Sequence, residues 1–136
     1  MTESLRDRIA RHEGFRSKPY KDSLGFLTIG IGRCLDTKGI SQAEGLYLLD
    51  DDIGDATREL LGALPWAEQL DDVRRGVLVE MVFQLGLAGV LAFKHMLAAA
   101  QQGIWDRASD EMLSSQWAQQ TPARAQELAG LMKNGT

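Results

Sequence analysis

The spacing of hydrophobic residues changes twice along this chain, and the changes divide it into three regions. Apolar residues recur at helical spacing up to residue 13 and again from residue 41 onward, but not in between. In the middle region, residues 19–21 and 26–29 are typical of two short strands, and residues 22–25 between them have turn chemistry. The pattern therefore predicts a β-hairpin between helices.

Capping residues mark the ends of the first two helices. Thr2 is predicted to cap the first helix, with Gly14 as its left-handed stop. Ser41 and Glu44 have the spacing of a capping box, in which each side chain bonds the backbone amide of the other residue. A long helix over about 41–63 is therefore expected to connect the hairpin region to the rest of the chain.

The remaining residues predict a helical lobe. The stretch 72–85 is apolar on nearly every side, which is typical of a buried helix at the centre of such a lobe. Thr121 and Pro122 have the order of a helix cap and a first-turn proline, so they are predicted to open the last helix. The helices of this lobe are expected at about 72–85, 91–101, 106–114 and 122–135.

The fold class that follows is α+β in a single domain, residues 1–136. It has a small N-terminal lobe with a short β-hairpin sheet (about 14–40), the long connecting helix, and a helical C-terminal lobe (about 64–136) to which the first helix (3–13) is assigned. A chain of 136 residues is long enough to bury a core of its own.

Composition excludes several kinds of protein. The single cysteine, Cys34, cannot form an internal disulfide, and no apolar stretch approaches the length that crosses a bilayer. The N-terminal segment carries too many charges for a signal peptide. We therefore expect synthesis in the cytoplasm and no membrane insertion. The sequence contains no metal-binding or nucleotide-binding motif, so neither a metal nor a cofactor is expected, and a monomer is the default expectation.

Charge is distributed unevenly along the chain. The net charge is −4, but the first forty residues carry +3 and the remainder carries −7. One interpretation is two solvated surfaces of different sign, and the other is a basic lobe that attracts an anionic polymer. Nucleic acid is not an expected partner, because the chain is acidic overall and has neither a basic recognition helix nor zinc-ligand spacing.

Three polar residues fall close together in the N-terminal lobe. Glu13 ends the first helix, where the helix dipole disfavours an ionised carboxylate. Asp22 lies in the hairpin turn, and Thr28 lies on the returning strand. Each has an ordinary structural explanation as a solvated helix end, a turn aspartate or a β-branched strand residue. Together they fit glycoside hydrolysis, which needs one protonated and one ionised carboxyl group on opposite sides of the scissile bond.

The order and spacing of these residues resemble those of the phage-type lysozymes, the endolysin muramidases. The first part of the likeness consists of Glu13-Gly14, Tyr20-Lys21-Asp22, Gly25 and Thr28-Ile29-Gly30-Ile31-Gly32. It continues through Asp72-Val73-Arg74-Arg75, Met81-Val82-Phe83-Gln84, Trp105-Asp106, Trp117, Gln120-Thr121-Pro122 and Arg124-Ala125. The resemblance covers nearly the whole chain and implies a lysozyme-like fold.

The resemblance also implies roles for individual residues. Glu13 corresponds to the catalytic acid, Asp22 to the carboxylate that activates or positions water, and Thr28 to the hydroxyl that lines the same water site. Phe83 and Gln84 correspond to substrate-binding positions that line the cleft on the helical lobe.

Two arginines and their partners complete the candidate site. Arg124 corresponds to an arginine that pairs with Glu13 and orients it. Arg33 is a further substrate-binding candidate, and it stands where a family member has a histidine that pairs with an aspartate. An Arg33–Asp52 ion pair is therefore predicted, the alternative being two separately solvated side chains. Glu80 replaces an amide at a cleft position, where it either alters substrate contacts or pairs with a neighbouring arginine. The second is favoured.

The implied activity is that of an N-acetylmuramidase. Such an enzyme hydrolyses the β-1,4 bond between N-acetylmuramic acid and N-acetylglucosamine in bacterial peptidoglycan, here by inverting single displacement, and lyses the cell. Two alternatives stay open: a lytic transglycosylase, which needs the acid but no attacking water, and a catalytically silent module that binds peptidoglycan. Since no signal peptide is expected, release to the cell wall or periplasm is expected to occur through a holin.

Overall fold

The computed structural model describes residues 2–136, which form seven α-helices, one 3-10 helix and a three-stranded sheet. These residues group into two compact units, the first ending at Tyr47 and the second running from Leu48 to Thr136. The predicted α+β class is confirmed. The first helix belongs to the same unit as the sheet, whereas the sequence assigned it to the helical lobe. The organisation as a single domain stays a prediction.

The first unit contains the sheet and the helix that precedes it. Its elements are α1 (Leu5–Glu13), β1 (Arg16–Lys21), β2 (Leu27–Gly30) and β3 (Arg33–Cys34). The long helix α2 (Gln42–Ala63) begins in this unit and continues into the second. The predicted connecting helix is therefore confirmed to within a residue at each end.

The N-terminal cap of α1 is Ser4, so the assignment of this role to Thr2 is wrong. The Ser4 hydroxyl accepts a hydrogen bond from the backbone amide of Asp7 at 3.0 Å. Ser4 takes the role because it directly precedes the first helical residue, whereas Thr2 lies two positions further out. Gly14 ends the helix as predicted, at φ +70° but with an extended ψ of 171° in place of the left-handed helical value.

The three strands form one antiparallel sheet in the order β1-β2-β3. Tyr20 on β1 pairs with Thr28 on β2, and Thr28 pairs in turn with Cys34 on β3. The predicted hairpin turn closes where the amide of Asp22 donates to the carbonyl of Phe26 at 2.9 Å. The strand β3 was not predicted, because its two residues are too few to show an alternating pattern.

The capping box at the start of α2 is confirmed. The backbone amide of Ser41 donates to Glu44 Oε1 at 2.9 Å, and the backbone amide of Glu44 donates to Ser41 Oγ at 3.1 Å. These reciprocal bonds satisfy two amides that lack partners within the helix, and they fix the point where the chain leaves the sheet for the long helix.

The second unit is entirely helical. After α2 it contains a 3-10 helix (Pro65–Gln69), α3 (Asp72–Leu91), α4 (Lys94–Gln101), α5 (Trp105–Leu113), α6 (Gln116–Gln120) and α7 (Pro122–Asn134). Helix α3 supplies five buried apolar residues to the core, which confirms the prediction of a buried central helix: Val77, Leu78, Met81, Val82 and Val90. Buried residues of α4, α5 and α7 pack into the same cluster.

Two local expectations in this unit are confirmed in part. Regular helical geometry stops after residue 85, as predicted, at Gly86, whose φ of +76° and ψ of 163° are non-helical, but a further helical segment of α3 continues to Leu91. The last helix begins at Pro122, directly after Thr121, as predicted. Thr121 makes no capping bond to α7. Its hydroxyl instead donates to the carbonyl of Trp117 at 3.1 Å, in the short helix α6 that the sequence did not predict.

Across residues 2–136, no single helix has the length and apolarity needed to cross a membrane, although α3 and α4 meet that requirement if they are taken together across a bend of 104°.

Candidate functional site

Glu13 is the last residue of α1, and its side chain lies against the turn between β2 and β3. A Cβ atom at Gly32 would lie 2.9 Å from both Cδ and Oε2 of Glu13, so the carboxyl group touches the backbone there. Gly32 also has a φ of +75°, which other residues rarely adopt. Helix α1 and this glycine therefore place an exposed carboxyl group beside the end of β2.

Asp22 is held in the turn at the other end of β2. Its Oδ1 accepts hydrogen bonds from the backbone amides of Leu24 and Phe26, each at 2.9 Å. Among the residues that the structure describes, none donates a hydrogen bond to Oδ2. One oxygen thus fixes the carboxylate, and the second is available to accept a hydrogen bond from water.

Thr28 lies on β2, between the strand ends where these two carboxyl groups are placed. It is the one buried residue among those described in the first unit. Its hydroxyl donates to the carbonyl of Phe26 at 3.0 Å, which leaves the hydroxyl oxygen able to accept a hydrogen bond. Thr28 is opposite Tyr20, and Phe26 is opposite Asp22. Because side chains alternate between faces every residue, Asp22 and Thr28 share one face of the hairpin.

The sheet therefore brings all three predicted catalytic residues onto one compact unit. Glu13 is positioned at the β2–β3 end of strand β2, and Asp22 is positioned at its β1–β2 end. Thr28 is on the strand between them. Two carboxyl groups at the two ends of one strand, with a hydroxyl between them, are the group types that acid-assisted attack by water requires.

Arg33 has a different partner from the one predicted. Both of its Nη groups bond to Glu44, with Nη1 at 2.9 Å from Oε1, and Nη1 also donates to the carbonyl of Gly39 at 3.1 Å. The predicted pair with Asp52 is therefore wrong. Glu44 takes this place because it is only eleven residues from Arg33 along the chain and its carboxylate is already fixed by the capping box. The Arg33 guanidinium and the bonds from Ser41 lower the pKa of Glu44 to about 2. The role of Arg33 in substrate binding stays a prediction.

Phe83 and Gln84 lie on α3 in the second unit and have different surroundings. Phe83 is 46% exposed and lines a cavity of about 480 Å³. Gln84 accepts a hydrogen bond at its Oε1 from the indole Nε1 of Trp117, at 2.9 Å. Trp117 is buried and packs edge-on against Phe93, with ring centroids 6.0 Å apart. The sequence did not show that Trp117 fixes Gln84, because a contact across 33 residues leaves no local pattern.

Arg124 on α7 is paired with Glu80 on α3. Its Nε donates to Glu80 Oε2 at 2.8 Å, with both side chains about two-fifths exposed. The favoured expectation for Glu80, a bond to a neighbouring arginine, is confirmed. The pairing of Arg124 with Glu13 stays a prediction.

Over residues 2–136, no group of three or more histidine, cysteine, aspartate or glutamate side chains is arranged to hold a metal ion.

Comparison with known proteins bears on nearly the whole chain. The family model described as phage lysozyme matches residues 10–134. Two proteins of Dictyostelium discoideum, probable T4-type lysozymes 1 and 2, are each 28% identical to this chain, over 100% of it and 97% of their own length. The pre-baseplate central spike protein Gp5 of Enterobacteria phage T4 is 28% identical over 97% of this chain and 28% of the spike protein. With a family model that spans all but the ends, the chain belongs to the phage lysozyme family and is a glycoside hydrolase with lysozyme function.

Proposed function

We propose that this lysozyme is an N-acetylmuramidase that hydrolyses the β-1,4 bond between N-acetylmuramic acid and N-acetylglucosamine in bacterial peptidoglycan, with inversion. The observation that supports this most is the placement of two carboxyl groups at the two ends of β2, with the Thr28 hydroxyl between them. Inverting enzymes separate their carboxyl groups by about 6.5–9.5 Å, which leaves room for a water molecule.

In the proposed reaction, protonated Glu13 gives its proton to the glycosidic oxygen as the bond from that oxygen to the anomeric carbon breaks. Water attacks the anomeric carbon from the opposite face and loses a proton to Asp22. Thr28 accepts a hydrogen bond from the same water. The products are a new reducing end of inverted configuration and a free hydroxyl on the leaving sugar. Proton exchange with solvent then restores both carboxyl groups.

Residues of the second unit contribute to substrate binding and to control of the acid. Phe83 offers an exposed aromatic ring against which a sugar can pack. Gln84 presents its amide nitrogen to substrate while its oxygen is held by Trp117. Arg124 pairs with Glu13 and orients it. We also propose that the enzyme acts as a monomer on glycan strands of the cell wall or periplasm, which it reaches from the cytoplasm through a holin.

A lytic transglycosylase is the second candidate. That reaction needs the acid but no attacking water, because the sugar's own hydroxyl closes a 1,6-anhydro ring. The bonds that fix Asp22 with one carboxylate oxygen left for water favour hydrolysis over this alternative. The third candidate, a silent peptidoglycan-binding module, would not require the acid and the water-holding groups together.

The test is product analysis on purified peptidoglycan with two variants and two matched controls. We expect Glu13→Gln to lower the rate by about 10⁴-fold and Asp22→Asn to lower it by about 10²-fold, which span the usual range for acid and base catalysis. Glu3→Gln and Asp36→Asn should keep nearly full activity. Glu3 is a carboxylate that pairs with Arg11, and Asp36 accepts a hydrogen bond from the backbone amide of Leu27, much as Asp22 accepts bonds from turn amides.

The products separate the three candidates. Free reducing muramic acid supports the muramidase, 1,6-anhydro ends support the transglycosylase, and no product supports the silent module. Near-normal activity of Glu13→Gln would reject the assigned acid.

A further inference from the structure

The stacked pair of Arg16 and Tyr20 on β1 has no part in the catalytic roles above. The guanidinium carbon of Arg16 lies 4.4 Å from the centre of the Tyr20 ring, which is within the range of a cation–π contact. Arg16 is exposed and Tyr20 is half-buried. Because a guanidinium that stacks on a ring keeps its N–H groups at its edge, those groups are available to a planar anion.

This pair lies on the same face of the hairpin as two of the proposed catalytic residues. Tyr20 is directly opposite Thr28 in the antiparallel register, and it comes two residues before Asp22 along the chain. Opposite residues, and residues two positions apart, project from the same face of a sheet. The register is irregular between Arg16 and Tyr20, but the contact with the ring places the Arg16 guanidinium on this face.

The two arginines of the sheet have different partners. Arg33 pairs with Ile29, the neighbour of Thr28, and therefore projects from the other face. Its guanidinium is bonded to the carboxylate of Glu44. Over residues 2–136, by contrast, no carboxylate forms an ion pair with Arg16. Within the described chain the charge of Arg16 thus has an aromatic ring beside it but no counter-ion.

The distribution of charge along the chain indicates which region attracts an anionic partner. The first forty residues carry +3, and the remainder carries −7. Peptidoglycan is itself anionic, because the stem peptides on N-acetylmuramic acid end in carboxyl groups that are ionised at neutral pH. A strand of that charge is attracted to the N-terminal residues and repelled by the rest.

We propose that Arg16, held by Tyr20, binds a stem-peptide carboxylate of the N-acetylmuramic acid unit and thereby determines which glycan strands the enzyme prefers. The proposal rests on the proposed function, which brings such a strand to Asp22 and Thr28. A guanidinium forms paired hydrogen bonds to a carboxylate. An amide loses the charge and one of the two acceptors, so it binds a guanidinium less well. Arg16 therefore selects strands whose stem peptides keep ionised carboxyl groups.

The test compares KM on two preparations of solubilised glycan strands that are free of phosphate-bearing polymers. One preparation keeps its stem carboxyl groups, and in the other they are converted to methylamides. We expect Arg16→Gln to raise KM for the unmodified strands about fivefold with kcat nearly unchanged, because one partly exposed ion pair with substrate is lost. The same substitution should leave KM for the amidated strands nearly unchanged, because these strands lack the anion.

Lys21→Gln is the matched control for charge. It removes one positive charge from the same strand but from the opposite face, where Lys21 is paired with Leu27. It should change KM for either preparation by less than about twofold. Tyr20→Leu should raise KM for the unmodified strands in the same direction as Arg16→Gln, whereas Tyr20→Phe, which keeps the ring, should not.

Four outcomes would overturn the inference while leaving the proposed hydrolysis intact. An equal rise in KM for Lys21→Gln would show that total charge governs binding, and an equal rise for the amidated strands would show that no carboxylate is read. An effect of Arg16→Gln only on walls that retain phosphate-bearing polymers would make phosphate the partner. A lower thermal midpoint with KM unchanged would show that the pair only stabilises the strand. Failure of the proposed function would appear separately, as near-normal activity in Glu13→Gln.

Discussion

The two units of this enzyme are stabilised in different ways. Every buried apolar residue among those described lies between Ala56 and Met132, in the second unit. Among the described residues of the first unit only Thr28 is buried. This unit is ordered by polar contacts, such as the hydrogen bonds that the turn amides donate to Asp22 and the pairing of Arg33 with Glu44. The unit that carries the proposed catalytic carboxyl groups is thus held together by hydrogen bonds, while the second unit contains the apolar core.

This difference predicts that equivalent substitutions have unequal effects in the two units, and the largest effect should come from the core. Leu78 on α3 is fully buried, so Leu78→Ala should lower the free energy of unfolding by about 2–5 kcal/mol through lost burial and a residual cavity. Leu24 in the hairpin turn is 79% exposed, and Leu24→Ala should change it by less than about 0.5 kcal/mol. Denaturant unfolding measures both. Similar losses in the two variants would contradict the comparison.

The same contrast explains which parts of the fold could be predicted from the sequence. The capping box of Ser41 and Glu44, the turn at Asp22 and the buried face of α3 depend on residues within a few positions of one another. Local spacing determines them, so the sequence was sufficient. The end of α1 and the length of α2 follow from the same kind of signal.

Features that depend on distant pairing could not be predicted in this way. The strand β3 exists because Cys34 pairs with Thr28, and its two residues have no pattern of their own. The predicted partner of Arg33 was wrong because the sequence offers several acidic residues that could pair with it. The folded structure shows that Glu44 is the residue that bonds to it. In the candidate site, the residue types could be predicted, but the contact of Glu13 with Gly32 required the structure.

An intermediate effect should appear at Gly32, where activity and stability separate. A Cβ there would lie 2.9 Å from Cδ and Oε2 of Glu13, at the flexible end of that side chain. Gly32→Ala should therefore displace the carboxyl group and lower kcat by about tenfold to a hundredfold, since misplacement near one ångström has effects of that size. Its backbone strain should cost about 1–2 kcal/mol of stability.

Gly25→Ala is the matched control for that substitution. Gly25 has a similar φ of +86°, but a Cβ there has no neighbour within 4 Å. It should lose a comparable amount of stability and keep most of its activity. Equal losses of activity in the two variants would mean that strain alone, and not displacement of Glu13, governs the rate.

The smallest expected effect concerns the polar network of the first unit and appears only in acid. The pKa of Glu44 is about 2 in the folded protein, below its ordinary value of 4.5, mainly because the Arg33 side chain bonds to its ionised form. Folding therefore favours the ionised carboxylate. The stability that this provides is fully present above pH 4.5 and is lost as the pH falls from there toward 2.

The test is the free energy of unfolding of the wild type and of Glu44→Gln, measured from neutral pH down to about 2. The two values should differ most at neutral pH and converge in acid. Other carboxylates titrate in both proteins, so the difference between the two curves isolates Glu44. Arg33→Gln should reproduce the same convergence because it removes the partner of Glu44. Two parallel curves would show that this network does not stabilise the unit that carries the proposed catalytic residues.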